Sequence, residues 1–352
     1  RRQRQMCIRD RLAAAVGSVA ALLFAGRLIG RLGARGAVVL CSVLMALVLG
    51  LVLHWPHYAL LLLAMVVFGA SISVYDVAIN SEGSTLESAG GRPIMGSLHG
   101  MFSVGGMAGA ALTAGLLRSG MPASWQLTAV GLLMVLWIPL AARWMLPTPV
   151  PTAGGAGAAH FAWPRGALLV IGVLIFTGMS AEGVMYDWCV LYLKQEVHMP
   201  QDRAALGYAA FSGAMAVMRF AADGLRARHS ERRLLRASGS LTAVSMAVVL
   251  LSGSPWVSLV GYALIGAGLA MVVPILYSAA SRVPGTTPAA AIAAVSSVGY
   301  SGFMVGPPLI GGIAQHASLT AAMTVVVIAA AILALSAHSV SYTHLRAHET
   351  RH

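Results

Sequence analysis

The chain has 352 residues, 58% of them apolar and only 10% charged, with a mean hydropathy of +0.80. So few charges cannot cover a water-soluble surface, so the bilayer has to act as the solvent. The formal net charge of +12 is no nucleic-acid signal, because seven of the 23 Lys and Arg residues lie in two short terminal stretches, 1–11 and 339–352.

Those stretches are abruptly polar and basic beside what they flank. Both are expected to be non-native, resembling adapter read-through at the edges of an assembled fragment; genuine basic tails are the alternative. Between them, apolar runs mark spans near 12–29, 37–54, 58–80, 94–117 and 124–146, each ended by proline, glycine or charge. The stretch 147–164 (PTPVPTAGGAGAAHFAWP) breaks the hydrophobic pattern and reads as a flexible linker. A second series follows near 165–193, 204–225, 234–253, 256–280, 289–314 and 319–338. At about 20 residues per crossing, the expected fold is an all-α membrane bundle of about eleven spans, with an N-terminal half at 12–146 and a C-terminal half at 165–338.

Cys7, Cys41 and Cys189 form neither a disulfide framework nor a CxxC pair, and no cofactor or metal is expected. The sequence has no HExxH, GxSxG or P-loop motif, so no enzymatic activity is expected.

Arginine placement sets an expected orientation. If the first run crosses from outside to inside, thirteen arginines from Arg27 to Arg282 fall on inner loops and helix ends, against Arg118, Lys194 and Arg203 outside. That asymmetry predicts a multi-pass protein of the inner membrane with the linker in the cytoplasm. It also leaves the first half one helix short of the second.

The halves echo each other. Gly105, Gly109 and Gly115 recur as Gly302, Gly306 and Gly312, 197 residues later, and the environment of Arg27 recurs loosely around Arg219, 192 residues on. Small-residue spacing alone is common where membrane helices pack, but two matches at nearly one offset suggest a parallel repeat, a transporter architecture.

Gly26-Arg-Leu-Ile-Gly-Arg-Leu-Gly33-Ala-Arg35 resembles the signature after the second helix of the major facilitator superfamily, and Arg219 to Arg228 resembles its partner after the eighth. On that resemblance the visible spans are helices 2 to 12 of two pseudo-symmetric six-helix halves, with helix 1 missing. The usual acidic residue of the signature is replaced by Gly30 in the first copy and stands as Asp223 in the second. Asp76-Val-Ala-Ile-Asn80, Arg92-Pro93, His99-Gly-Met-Phe-Ser103 and Glu182-Gly-Val-Met-Tyr186-Asp187-Trp188 are similar to the branch around the fucose permease. The resemblance implies gating roles for Arg27, Arg31, Arg219 and Asp223.

A charged group at mid-helix costs roughly 2.5 to 3.5 kcal/mol to insert, so such residues usually face a cavity and serve function. Asp76 is the only acid within the expected first-half spans, and Asn80 shares its face at i+4. A carboxyl that gains and loses a proton as its surroundings open and close can carry that proton across; the alternative is a structural acid at headgroup level. Glu182 and Tyr186 share a face of helix 7 and are pathway candidates, and His99 is either a substrate or proton contact or a packing donor. Arg219 and Asp223, at i and i+4, are expected to pair with each other at the inner end of helix 8.

The expected function is therefore secondary active transport of a small organic solute, sugar-like or other, coupled to protons by a monomer in the lipid bilayer, with no nucleic-acid partner. A drug or metabolite efflux antiporter and a non-transporting, transporter-like sensor are the alternatives.

Overall fold

The computed structural model describes the backbone of residues 2–53, 57–146 and 164–349, with side chains throughout except at 2–11, 202 and 339–349. The linker expected at 147–164 lies, apart from Pro164, outside the described residues, and the side chains of both terminal stretches do too.

Inside a hydrocarbon layer each backbone N–H and C=O has to find its partner within the segment, which makes helix the outcome for every long apolar run here. Among the described residues the elements are α1 (Arg2–Leu51), α2 (Tyr58–Gly90), α3 (Met95–Arg118), α4 (Ala123–Ala141), α5 (Ala167–Gln195), α6 (Gln201–Arg228), α7 (Glu231–Ser252), α8 (Pro255–Leu269), α9 (Val272–Ser281), α10 (Pro288–His316) and α11 (Leu319–Glu349). Among the described residues ten helical segments are long and apolar enough to cross a membrane, with α8 and α9 together forming one of them. The first, Leu12–Leu51, is 40 residues long, about 60 Å at 1.5 Å per residue and twice a hydrocarbon core. It is divided at Gly33, whose φ of 74° and ψ of 162° suit glycine and almost no other residue. The division falls between the two spans expected at 12–29 and 37–54.

Helix α2 does not stop at residue 80 but runs on to Gly90, so Glu82 and Glu87 join Asp76 on it. Helix continues through these polar residues because their side chains find partners: Glu82 accepts the Leu146 N–H at 2.5 Å, and Glu87 is engaged as described below.

The described residues form two compact units. The first draws on Arg1–Thr85, Gly105–Trp163 and Thr286–Ser297; the second on Leu86–Val104, Pro164–Gly285 and Val298–His352. In the first unit, α1 and α2 cross so closely that a Cβ on Gly17 would strike the Val66 backbone and one on Gly69 that of Ala14; Ser18 Oγ donates to the Gly69 carbonyl at 2.9 Å. In the second unit, α5 to α9 and α11 enclose a core in which Phe211, Tyr192, Tyr262 and Tyr277 are almost wholly buried. Helix α7 begins at Ser230, whose side chain accepts from Arg233 N, and ends at Gly253 in the left-handed conformation.

The repeated glycine spacing is not a repeated contact. Gly302 and Gly306 press on Phe176 and Ser180 of α5, whereas no atom of a described residue on another element lies within 4 Å of where a Cβ would stand on Gly105, Gly109, Gly115 or Gly312.

Candidate functional site

The last turn of α2, the Gly91 turn (φ 62°) and the first two turns of α3 belong to the second unit, where they meet α6. A helix start leaves four backbone N–H groups without intrahelical partners. At α3 two carboxylates take all four. Glu87 Oε2 accepts from Ile94 N at 3.0 Å and Met95 N at 3.1 Å; Asp223 accepts from Gly96 N at 2.8 Å, Ser97 N at 2.7 Å and Ser97 Oγ at 2.6 Å. Negative charge is favoured there by the helix dipole as well as by the hydrogen bonds.

Arg226 ties the two acids together. Its guanidinium donates to both oxygens of Glu87, at 2.9 and 2.8 Å, in the bidentate geometry that suits this pair of groups, and it lies 3.7 Å from Asp223 Oδ1. Glu231 and Arg282 extend the network, Arg282 reaching Glu231 at 2.7 Å and Glu87 at 3.9 Å. The close approach depends on missing side chains: a Cβ on Gly96 would stand 2.7 Å from Asp223 Oδ1 and 2.8 Å from the Arg219 carbonyl, and one on Gly100 would be 3.0 Å from the Phe220 ring.

Arg219, expected to pair with Asp223, takes other partners. Its Nη2 donates to Glu182 Oε1 at 3.2 Å and its Nη1 to Ser103 Oγ at 2.7 Å, and the Arg219 and Glu182 side chains are buried, 6% and 9% exposed. Tyr186, one turn after Glu182, packs edge-on against Phe211 at 5.2 Å between centroids and beside Tyr208 at 5.7 Å. His99, one turn before Ser103, lies 6.1 Å from the Tyr277 ring, and its Nε2 is shielded from solvent with no hydrogen-bond partner among the described residues. The structure thus brings His99, Glu182, Tyr186 and Arg219 into one neighbourhood of the second unit, with Asp223 one turn along α6.

Asp76 and Asn80 lie in the first unit. Asn80 Nδ2 donates to the Asp76 carbonyl at 2.9 Å and to Asp76 Oδ1 at 3.0 Å; Asn80 is buried and Asp76 half-buried. Arg27 and Arg31, also in the first unit, are exposed on α1. Glu87, Ser97, Ser103 and Glu231 were not foreseen. The spacing of Arg219, Asp223 and Arg226 at i, i+4 and i+7 on one helix face, together with Gly96-x-x-x-Gly100, was the available signal.

Asp223→Ala strands the Gly96 and Ser97 donors in a site with little water. Loss of roughly 1–3 kcal/mol per stranded donor is expected. The checks are a lower melting temperature and faster amide exchange at Gly96 and Ser97, the two amides that Asp223 holds; unchanged exchange there would contradict the capping role.

A family profile described as Major Facilitator Superfamily matches residues 12–300 and 168–350. The chain belongs to the major facilitator superfamily. Superfamily relatives include an uncharacterised MFS-type transporter of Yersinia pestis, 32% identical over 93% of this chain and 84% of its own length. The membrane protein MosC of Rhizobium meliloti is 31% identical over 91% and 78%. Among solved superfamily folds, the E. coli fucose:proton symporter FucP superimposes with a TM-score of 0.79 at 16% identity, covering 95% of this chain and 90% of FucP. The human organic anion transporter MFSD10 follows at 0.74 and 17%, covering 94% and 82%. The chain is accordingly an all-α, multi-pass membrane protein of a solute-transporting superfamily, with a fucose permease-like fold.

Proposed function

We propose that this chain is a secondary active transporter that moves a small organic solute by alternating access, coupled to protons. The observation that carries the reading is the buried Glu182–Arg219 pair inside apolar spans, hydrogen-bonded onward to Ser103. Ionised groups in membrane segments are costly to keep and usually mark a solute or proton path. Support for proton coupling and a sugar-like solute comes from FucP, a fucose:proton symporter, and from XylE, a proton:xylose symporter with a TM-score of 0.71.

On this reading Asp76 with Asn80 and Glu182 with Tyr186 and His99 serve the pathway. Arg219, Asp223 and the Glu87–Arg226 contacts form a latch that opens and closes in each cycle, and Arg27 and Arg31 are its first-half counterparts. The repeats are residues 12–146 and 165–338. The arginine asymmetry supports an inner-membrane orientation with 147–164 in the cytoplasm. Single cysteines placed there would be labelled only from the cytoplasmic side.

Counterflow in proteoliposomes tests the function. Vesicles preloaded with candidate sugars should take up labelled solute, and a pH gradient, acid outside, should drive its accumulation. Saturable ligand binding without counterflow would identify a sensor instead, and accumulation driven by an acidic interior an antiporter.

A further inference from the structure

Helices α7 and α8 carry a feature that the transport reading does not use. Leu241, Val244 and Val248 on α7 face Trp256, Val260 and Leu264 on α8 across a groove of about 470 Å³ floored by Ser245 and Gly261. The six lining side chains are exposed, Val244 and Val260 each 62% and Trp256 72%. An apolar groove on a membrane-spanning surface is by itself ordinary lipid contact. What singles this one out is the charge at its head.

Arg228, Arg232, Arg233 and Arg236 cluster where α6 turns into α7, all four exposed, and none forms an ion pair with a described residue. The nearby acid Glu231 is engaged by Arg226 and Arg282. Arg233 precedes Val244 by eleven residues, three turns, so it stands on the groove's own face about 16 Å along the axis. Arg232 and Arg236 both lie to one side of it, about 100° and 60° round the helix, within the first two turns of α7.

We propose that this groove and its arginine head form a binding site for an anionic phospholipid, one acyl chain lying between α7 and α8 and the phosphate held by Arg232, Arg233 and Arg236. The arginines supply charge complementarity, and free guanidinium groups at a membrane surface attract acidic headgroups by short-range electrostatics. A zwitterionic lipid of the same chain length fills the groove equally well but gains nothing net from the arginines.

The test is native mass spectrometry and thermal unfolding of the purified full chain in detergent, with dioleoyl phosphatidylglycerol or dioleoyl phosphatidylcholine added. Phosphatidylglycerol should be retained and should raise the melting temperature by several degrees more than phosphatidylcholine. The Arg232→Gln, Arg233→Gln, Arg236→Gln triple variant, altered only at exposed positions, should retain phosphatidylglycerol roughly a hundredfold less well while phosphatidylcholine retention stays unchanged. Val244→Trp, which fills the groove, should weaken retention of both lipids. Equal retention of the two lipids by the unaltered protein, or an undiminished preference in the triple variant, overturns the proposal. So does a Val244→Trp variant that changes only the oligomeric mass, which would assign the groove to a second copy.

Discussion

Arg219→Ala lowers the stability of the folded chain by roughly 3–5 kcal/mol, because it leaves Glu182 buried and unpaired. Glu182 is buried, and Arg219 is its one ion-pair partner among the described residues. Taking a carboxylate out of water is costly whether or not a partner is present, and the attraction to Arg219 offsets that cost only while both charges are in place. Ser103 loses its donor at the same time. The double variant Glu182→Leu, Arg219→Met removes both charges, so it should recover most of the lost stability, apolar replacements of whole pairs being neutral or better. It should recover no transport. Thermal unfolding of the two variants in detergent, beside counterflow, reads both effects. A single variant as stable as the unaltered protein would contradict the pairing of Glu182 with Arg219.

Asp76→Asn abolishes uphill accumulation while leaving binding and counterflow. The substitution keeps the Asp76 side-chain oxygen that Asn80 Nδ2 donates to at 3.0 Å, so local geometry is preserved while the titrating proton is lost. For a neutral solute and one proton per cycle, a pH difference of one unit sustains about a tenfold concentration ratio, 1.4 kcal/mol, and in the variant that ratio falls to one. Asp76→Glu should keep part of the activity. Should Asp76→Asn vesicles still concentrate solute along a proton gradient, the coupling role passes to Glu182.

The two sites differ in how far they could be read from sequence. Asp76 and Asn80 are one turn apart on one helix, and their contact is local, so spacing was enough to pair them. Glu182 and Arg219 lie 37 residues apart on different helices. Spacing flagged each of them but paired Arg219 with Asp223, its neighbour at i+4, because sequence offers only local partners. Glu87 went unremarked for a related reason. Hydropathy placed the end of its helix at residue 80, since it measures compatibility with lipid and cannot register that a carboxylate is matched by two backbone amides and a bidentate arginine from 139 residues away.

By itself, then, the sequence determined the membrane class, the all-α fold, most span positions and the charge-bearing helices, because apolar run length and backbone hydrogen bonding in hydrocarbon are properties of each segment alone. Tertiary structure alone decided which glycines are contacts and which carboxylate meets which arginine. Gly302 and Gly306 touch α5 while Gly105 and Gly109, identically spaced, have no neighbour among the described residues within 4 Å of a Cβ position. Asp223 caps α3 rather than pairing with Arg219, since a helix start 126 residues away presents two backbone amides and a hydroxyl that no spacing rule on α6 could reveal.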